Sequence, residues 1–277
     1  MIPFAPLHFK RKTTAMSVTT FQPTLSDLAK QRLIDTEDGA FLINDWVRAV
    51  FMHYRVPPGV LQAQIPFELD LFDGDAYVSL VAFEFLNLRI RMGKRILRWM
   101  KSPLNNHGFL NVRTYVKHNG EQGVFFLAEW LPDGLAVLIG PRTFGLPYRF
   151  GKLDYTHDYR SDGIHGQVEQ PGVTGRVAWQ ANLSSIETFV PCEPESLDAF
   201  LMERYTAFTH RRSTQRLFHI WHEQWPQTPI DLTLTDTSLL AQTGPWIKEA
   251  EFIGANYSPG VEDVWIGRPQ CINGAFC

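Results

Sequence analysis

The sequence predicts an α+β protein that is mainly β, and two observations lead to this fold class. The chain contains 20 Phe, 8 Trp and 8 Tyr together with 20 Gly and 18 Pro, which is typical of many strands joined by turns. The segment D-W-V-R-A-V-F-M-H-Y-R-V, Asp45–Val56, is a long strand-like run in which both alternating faces mix polar and apolar side chains. Such mixed faces are expected of a barrel wall that is covered outside and partly polar inside.

The remaining elements are taken in chain order. Thr24 and Asp27 predict the start of a helix, because they supply an N-cap and an acid in the first turn. In strand phase, Asp45–Val56 places Trp46 on the face opposite His53. Asp73-Gly74 is a turn signal that leads into a strand over Ala76–Leu86.

The central part of the chain carries the clearest pattern. Asn119-Gly120 predicts a tight hairpin between Asn111–Val116 and Gly123–Trp130, because both turn residues tolerate positive φ. The run L-A-V-L-I-G that follows fits a short helix or a strand. Gly140-Pro141 argues against a long helix there, because proline removes a backbone donor.

One further helix and a single domain complete the fold prediction. Pro194 occupies a plausible first helical position, and the apolar spacing from Leu197 to Tyr205 is helical. No internal repeat or low-complexity linker divides the chain. Residues 1–18 are therefore predicted to be a disordered leader and residues 19–277 a single domain, with Met16 as an alternative start.

Composition excludes several classes of partner. The formal net charge is −3, which gives no electrostatic reason to expect nucleic acid or an anionic membrane. The basic and apolar segment Arg89–Lys101 fits a membrane or partner contact less well than a solvated loop or short helix that covers the sheet. The three cysteines lack C-x-x-C spacing and indicate neither a disulfide framework nor a zinc site. We therefore expect a cytoplasmic protein.

Common catalytic motifs are absent from the sequence. It contains no G-x-S-x-G, H-E-x-x-H, Walker A or Rossmann fingerprint. His219 and His222 have the spacing to share a metal on a helix, but no third ligand is in view, so core or surface roles are favoured. No cofactor and no metal are predicted.

Cationic side chains are the candidate ligand-binding residues. Arg113 lies in mid-strand on one face with Asn111 and Tyr115, and His53 shares a strand face with Arg55. An arginine there either binds an anionic ligand or pairs with a buried carboxylate.

The segment after F-G-L-P adds further candidates, Tyr148, Arg149 and Lys152. Glu84, Glu129 or Asp154 are the carboxylates that would pair with the arginines in a purely structural arrangement. A cavity lined by arginines would suit a small carboxylate or phosphate better than a neutral ligand.

Five segments resemble the YqjF-like family, also called domain of unknown function 2071. They are N-V-R-T-Y-V at Asn111–Val116, R-T-F-G-L-P-Y-R at Arg142–Arg149, H-Y-R-V-P-P at His53–Pro58, F-D-G-D-A-Y-V-S-L-V-A-F at Phe72–Phe83 and N-Y-S-P-G-V at Asn256–Val261. That family is placed in the acetoacetate-decarboxylase-like superfamily. The resemblance implies a large curved antiparallel sheet closed into a barrel or cone, with a few outer helices and a possible homo-oligomer.

The resemblance also shows where this chain departs from the superfamily. Its decarboxylases form a Schiff base through a lysine of a Lys-Lys pair that follows W-G-F-P. The matching positions here are Tyr148 and Arg149, and neither a phenol nor a guanidinium forms a Schiff base. Lys152 is the substitute nucleophile or, more commonly for a lysine, a solvated side chain. Many relatives carry an acid at the position of Phe109.

Three functions stay open at this point. The first is a small-molecule-binding protein whose ligand is a keto or hydroxy acid held by arginine. The second is a lyase-type or isomerase-type enzyme in which Tyr148 transfers a proton and Arg149 lowers its pKa. The third is a structural barrel with internally paired arginines.

Overall fold

The computed structural model describes residues 23–36, 39–92, 98–101, 106–160, 163–183 and 188–272. The predicted leader, residues 1–18, lies outside these ranges. The strands in chain order are β1 (Ala40–Val56), β2 (Glu68–Leu69), β3 (Ala76–Met92), β4 (Arg98–Lys101), β5 (His107–His118), β6 (Glu121–Leu131), β7 (Tyr148–Phe150), β8 (Lys152–Thr156), β9 (Ile164–Glu169), β10 (Arg176–Ala181), β11 (Thr206–Arg211), β12 (Thr214–Trp221), β13 (Thr228–Ile230), β14 (Leu232–Asp236), β15 (Glu251–Gly267) and β16 (Gln270–Cys271). The α-helices are α1 (Leu25–Asp35), α2 (Pro58–Gln62), α3 (Gly134–Thr143) and α4 (Leu197–Met202), with 3-10 helices at Ser238–Thr243 and Pro245–Lys248.

Twelve strands form one large sheet, which confirms the mainly β prediction. Its main path runs β13-β15-β1-β3-β5-β6-β11-β12-β16, and β12 also pairs with β15, so the path returns on itself. The pairings are antiparallel except for β6 with β7 and β6 with β11. A second sheet has the order β14-β10-β9-β8.

The predicted hairpin is confirmed and fixes the register of the central strands. Asn119 has φ of 51° and Gly120 has φ of 82°, as a two-residue turn between β5 and β6 requires. His118 pairs with Glu121 at the base of the turn.

The large sheet is buried on both faces, which explains why its strands are so apolar. On β5, Leu110 and Val112 belong to a core cluster that also contains Val168 and Trp179 of the second sheet. Tyr115 belongs to a second cluster, on the other face, that includes residues of α3 and α4. Alternate residues of one strand therefore serve two cores.

A β-bulge in β1 changes the predicted phase of this strand. Arg48 has φ of 52°, and the pairing of β1 with β3 shifts register between Val47 and Val50. Trp46 is consequently packed with the cluster that contains Ala49 and Phe51, whereas strict alternation places it on the opposite face.

The helices agree with the sequence in part. α1 begins with the predicted capping box, in which Thr24 and Asp27 bond each other's backbone. α4 begins at Leu197 and not at Pro194, because Ser196 is the N-cap and its hydroxyl accepts from Ala199 N. α3 is longer than predicted: Pro141 lies in its last turn, where one lost donor is tolerated, and Asp133 caps its start.

Two other expectations have outcomes in the described residues. Arg89–Lys101 was expected to be a loop or short helix, but β3 and β4 form an antiparallel pair on either side of residues 93–97, which are not described. Cys192 is free and buried, whereas Cys271 is disulfide-bonded, contrary to the expectation that cysteine spacing gave. No helix in the described ranges is long and apolar enough to cross a membrane.

Candidate functional site

A small cavity lies on the face of the large sheet that packs against α3 and α4. It has a volume of about 80 Å³ and is called the inner cavity below. Aromatic and aliphatic side chains form most of its wall. Its polar and charged lining residues are Asn111, Arg113, Glu129, Tyr148, Arg204 and His222.

Three of these polar side chains come from neighbouring strands at matched positions. Asn111 of β5 pairs with Glu129 of β6, and Glu129 pairs with Tyr148 of β7. Cross-strand partners project to the same face of a sheet, so their side chains form one row along the cavity wall.

A second β-bulge is what turns Glu129 toward the cavity. The register of β5 with β6 shifts between Val112 and Arg113, so that Phe126 and Glu129 line the same cavity although they are three residues apart. In a regular strand, residues three apart point to opposite faces. The extra residue turns the Glu129 carboxyl away from the core cluster that contains Leu110 and Val112 and toward the inner cavity.

Arg113 is a buried cation without an ion-pair partner. Its side chain is buried, the residue being 8 % exposed, and Nη2 donates to the carbonyl oxygen of Leu201 in α4 at 2.9 Å. Its Nε atom has no hydrogen-bond partner, and no salt bridge among the described residues includes it. The guanidinium lies 5.7 Å from the ring centre of Phe51. Part of its donor capacity is therefore free to bind an anion.

A buried hydrogen-bond chain supports Arg113 from below. The hydroxyl of Tyr115 donates to the same Leu201 carbonyl at 2.7 Å, and it lies 2.5 Å from the hydroxyl of Ser79. Ser79 in turn lies 2.7 Å from Nδ1 of His53. Burial lowers the pKa of His53 to about 3, so the imidazole is neutral. Tyr115 and His53 are thus positioning residues beneath Arg113 and do not line the cavity.

Glu129 supplies a carboxyl group to the inner cavity that is buried and incompletely hydrogen-bonded. The residue is 3 % exposed, and its Oε2 atom is buried without a hydrogen-bond partner. Burial raises the pKa of Glu129 well above its ordinary value, because an ionised carboxylate there would lose its hydration without gaining a cation. Burial therefore favours the protonated form of this carboxyl, which can donate a hydrogen bond to a ligand.

Tyr148 lies beside Glu129 and is held by close packing. A Cβ atom on Gly140 of α3 would lie 2.3 Å from the tyrosine ring, so only glycine permits this approach. Phe109 contacts the other side of the ring, edge to face, at 5.6 Å between centroids. Burial, followed by the neighbouring Glu129, raises the pKa of Tyr148 well above its ordinary value. The prediction that Arg149 lowers this pKa is therefore wrong.

Two lining residues were not identified from sequence. Arg204 follows α4 and forms a buried ion pair with Asp70 at 2.8 Å, so its charge is already compensated. His222 is buried and stacks on Tyr205, with 4.7 Å between ring centroids, and its Nδ1 atom lies 2.7 Å from the carbonyl oxygen of Glu223. Burial lowers the pKa of His222. The sequence gives no signal that Arg204 or His222 lines a cavity, because the fold alone places them there.

A larger apolar cavity adjoins the inner one. It has a volume of about 280 Å³ and is called the outer cavity. Phe85, Phe109 and Tyr148 line both cavities and form the boundary between them. The outer cavity reaches the surface at α3, where Leu135 and Ile139 are half exposed. The site as a whole has a polar inner end and an apolar outer end.

Three predicted site residues lie away from both cavities. Arg55 is at the exposed end of β1, where it pairs with Glu251 at 2.5 Å. Arg149 points away from Tyr148, because neighbours on a strand face opposite sides; it lies over Trp130 at 5.3 Å. Lys152 is exposed on β8 of the second sheet, since the chain leaves the large sheet at Gly151. The structure therefore joins Asn111 and Arg113 with Tyr148 but not with these cations.

The described lining residues contain neither a lysine nor a metal site. No lysine lines either cavity among the residues that the structure describes. Within the same ranges, no group of three or more His, Cys, Asp or Glu side chains is placed to hold a metal ion.

The fold defines the class of protein. It is similar to an acetoacetate decarboxylase from Legionella pneumophila, with a TM-score of 0.54 and 12 % identity, over 83 % of this chain and 87 % of that one. It is also similar to the enduracididine biosynthesis enzyme MppR in complex with pyruvate, with a TM-score of 0.55 and 12 % identity, over 84 % and 90 % of the two chains. The chain is therefore a mainly β protein with the acetoacetate-decarboxylase-like fold.

Sequence comparison places the chain more narrowly. Residues 44–262 match the model of domain of unknown function 2071, a family of uncharacterised conserved proteins. The chain is 31 % identical over 205 residues to the uncharacterised protein YqjF of Bacillus subtilis, covering 73 % of this chain and 81 % of YqjF. The chain belongs to this family, as its N-V-R-T-Y-V and F-G-L-P-Y segments predict.

Proposed function

We propose that the inner cavity binds the carboxylate of a small keto or hydroxy acid, with Arg113 as its partner. The observation that carries this proposal is the state of Arg113, which is buried, bonded to one backbone carbonyl and paired with no carboxylate. A buried guanidinium gains most from an anion that accepts two parallel hydrogen bonds. A ligand carboxylate supplies that pairing.

Volume and polarity favour an acid with a small polar head and an apolar remainder. A water molecule needs about 10–15 Å³ of such space, so the inner cavity holds roughly five to eight groups of that size. That space suits a carboxylate with one adjacent oxygen function. The row of Asn111, Glu129 and Tyr148 offers hydrogen bonds to the second oxygen. The apolar part of the ligand then occupies the outer cavity, whose wall is mostly hydrocarbon.

The structural relatives support this choice of ligand. MppR has the same fold and has been determined in complex with pyruvate, which is a 2-oxo acid. We infer that the strands closing on themselves through β12 and β15 form a barrel-like wall around a comparable site.

A second candidate function is a lyase-type or isomerase-type enzyme acting on a keto acid. The observation that favours it is that Tyr148 lies in the cavity beside Glu129, within one row of cross-strand neighbours. This chemistry differs from the Schiff-base route of the superfamily, because Tyr148 occupies the lysine position. It is a proton transfer without a covalent intermediate.

The structural alternative, in which all the arginines pair internally, does not account for Arg113. Other arginines of the fold do pair internally: Arg48 with Glu84, and Arg204 with Asp70. Glu129, one of the carboxylates expected to neutralise Arg113, has no cation partner among the described residues. Ligand binding accounts for a buried arginine that the protein itself leaves unpaired.

Isothermal titration calorimetry tests the proposal. The ligands are pyruvate, 2-oxobutanoate, 2-oxooctanoate and phenylpyruvate, with octan-2-one as the uncharged control. We expect at least one acid to bind wild type and to lose about 100-fold or more in affinity with Arg113→Ala, as for loss of a buried charge pair. Octan-2-one should bind weakly to both proteins.

Arg216→Ala is the matched control. Arg216 also has guanidinium nitrogens without hydrogen-bond partners, but it lines neither cavity. Its substitution should leave the affinity for the acids unchanged. Binding that survives Arg113→Ala, or that Arg216→Ala abolishes equally, would refute the assignment of the carboxylate to Arg113.

A further inference from the structure

We propose that Glu129 is a catalytic acid–base residue that interconverts the keto and enol forms of the bound acid, while Tyr148 donates a hydrogen bond to the carbonyl oxygen. This inference rests on the proposed function, because it requires a 2-oxo acid whose carboxylate is held by Arg113. It adds an activity, tautomerisation with exchange of a proton at the carbon next to the carbonyl.

The geometry of Glu129 points to a role that protein contacts do not fill. Its carboxyl is buried, carries an oxygen with no hydrogen-bond partner and lines the inner cavity. The β-bulge before it turns this side chain inward. A polar group buried without a partner destabilises the fold, and a bound ligand that pairs with it would offset that destabilisation.

The neighbours of Glu129 allow the reaction to proceed without new charge. Burial raises the pKa of both Glu129 and Tyr148 and so favours the neutral form of each. A neutral carboxyl has one oxygen that donates a proton and one that accepts one. In a low-dielectric cavity, a step that exchanges two protons and creates no ion avoids the cost of separating charges.

The step balances within the ligand and the carboxyl. One oxygen of Glu129 gives its proton to the carbonyl oxygen of the ligand, which becomes the enol hydroxyl. The other oxygen takes a proton from the adjacent carbon as the carbon–carbon double bond forms. Glu129 ends neutral, with its proton on the opposite oxygen, and no oxidant, reductant or cofactor is consumed. Reversal of the step with a deuteron from D₂O leaves deuterium on that carbon.

Other titratable groups of the cavity are less suited to this role. The guanidinium groups of Arg113 and Arg204 stay protonated and cannot accept a proton. His222 has Nδ1 in hydrogen-bond range of the Glu223 carbonyl, which leaves at most Nε2 for proton transfer, whereas this step needs one atom that gives a proton and another that takes one. Tyr148 can donate but is a poor base, because burial disfavours its phenolate. Glu129 is thus the lining group that both gives and takes a proton.

Proton NMR of pyruvate and 2-oxobutanoate in D₂O tests the inference, with binding measured in parallel by calorimetry. We expect wild type to replace the protons next to the carbonyl with deuterium faster than buffer alone. Glu129→Gln should retain binding within about tenfold and lose about 100-fold or more of the exchange rate. Tyr148→Phe should slow exchange less, because it removes one hydrogen bond and leaves the acid–base group.

A second readout is needed because a proton that returns to the same carbon before it exchanges with solvent leaves no deuterium there. Conversion of the enol of phenylpyruvate to its keto form, followed by ultraviolet absorbance, detects the transfer directly. Should Glu129→Gln fail to fold, Glu129→Asp keeps the carboxyl but withdraws it by one methylene, and is expected to bind the acids with a slower exchange.

The outcomes separate this inference from the proposed function. Binding of an acid without exchange and without enol conversion overturns the role of Glu129 and leaves acid binding intact. Exchange that is unchanged in Glu129→Gln also overturns it. Absence of binding by every acid removes both proposals.

Discussion

The pH dependence of stability should change in a defined direction when Glu129 is replaced by Gln. Burial raises the pKa of Glu129 well above the ordinary value of 4.5. Between pH 4.5 and the raised value, the folded protein therefore holds one more proton than the unfolded chain. The stabilisation that Glu129 contributes is fully present below the unfolded pKa and is lost as the pH rises through the folded pKa.

The magnitude follows from the linkage between protons and folding. One proton of difference changes the free energy of unfolding by about 1.4 kcal/mol for each pH unit inside this window. Gln has nearly the shape of Glu and does not ionise, so the Glu129→Gln variant lacks this slope. Relative to wild type, its free energy of unfolding should therefore rise with pH by that amount for each pH unit inside the window.

Urea denaturation followed by tryptophan fluorescence, repeated at several pH values above 4.5, measures this slope. Glu262→Gln is the matched control, because Glu262 is an exposed carboxyl on β15 and its substitution should leave the slope unchanged. Parallel stability curves for wild type and Glu129→Gln would mean that the carboxyl is ionised in the folded protein. That result would contradict both the burial argument and the neutral proton donor.

Three further predictions concern two buried histidines, the ion pair of Asp70 with Arg204, and the Schiff-base route. Burial lowers the pKa values of His53 and His157 to about 3. The free energy of unfolding should therefore fall as the pH drops below their ordinary 6.5, by about 2.7 kcal/mol per pH unit for the two together. Denaturation of His53→Asn at several pH values, where half that slope is expected, checks the assignment. Asp70→Ala leaves Arg204 buried without its partner and should lower the free energy of unfolding by about 3–5 kcal/mol, and a loss under about 1 kcal/mol would contradict the pair. Borohydride reduction in the presence of pyruvate should give no covalent adduct by mass spectrometry, whereas a lysine adduct would restore the Schiff-base route.

The strand content and the central hairpin were predictable because their signals are local. Asn119-Gly120 specifies a turn with two positive φ angles, and alternation on β5 assigns Asn111 and Arg113 to one face. Apolar runs bounded by turn residues mark the other long strands. The family segments added the acetoacetate-decarboxylase-like fold, and the structural relatives agree with it.

The site was predicted only in part, because strand phase is sensitive to single residues. Arg113 and Tyr148 were identified, but Glu129 was considered only as a pairing partner, since regular alternation does not place it with Phe126. The bulge that brings these two to one face has no clear sequence signal. Arg149 was misplaced for a different reason: β7 is regular, so Arg149, which follows Tyr148 directly, faces the other way.

Long-range features could not be read from the chain at all. Arg204 reaches the cavity because α4 ends at Met202, and the sequence pattern continues the helix past that point. The outer cavity is built by α3 and by strands that are distant in sequence. Its apolar side chains look like ordinary core residues until their neighbours are known.

A crystal structure with bound 2-oxooctanoate tests the central claim most directly. The account predicts the carboxylate within hydrogen-bond distance of the Arg113 guanidinium, its keto oxygen facing Glu129 and Tyr148, and its alkyl chain in the outer cavity beside Phe109. A carboxylate bound elsewhere on the protein, or an alkyl chain in the inner cavity, would contradict it.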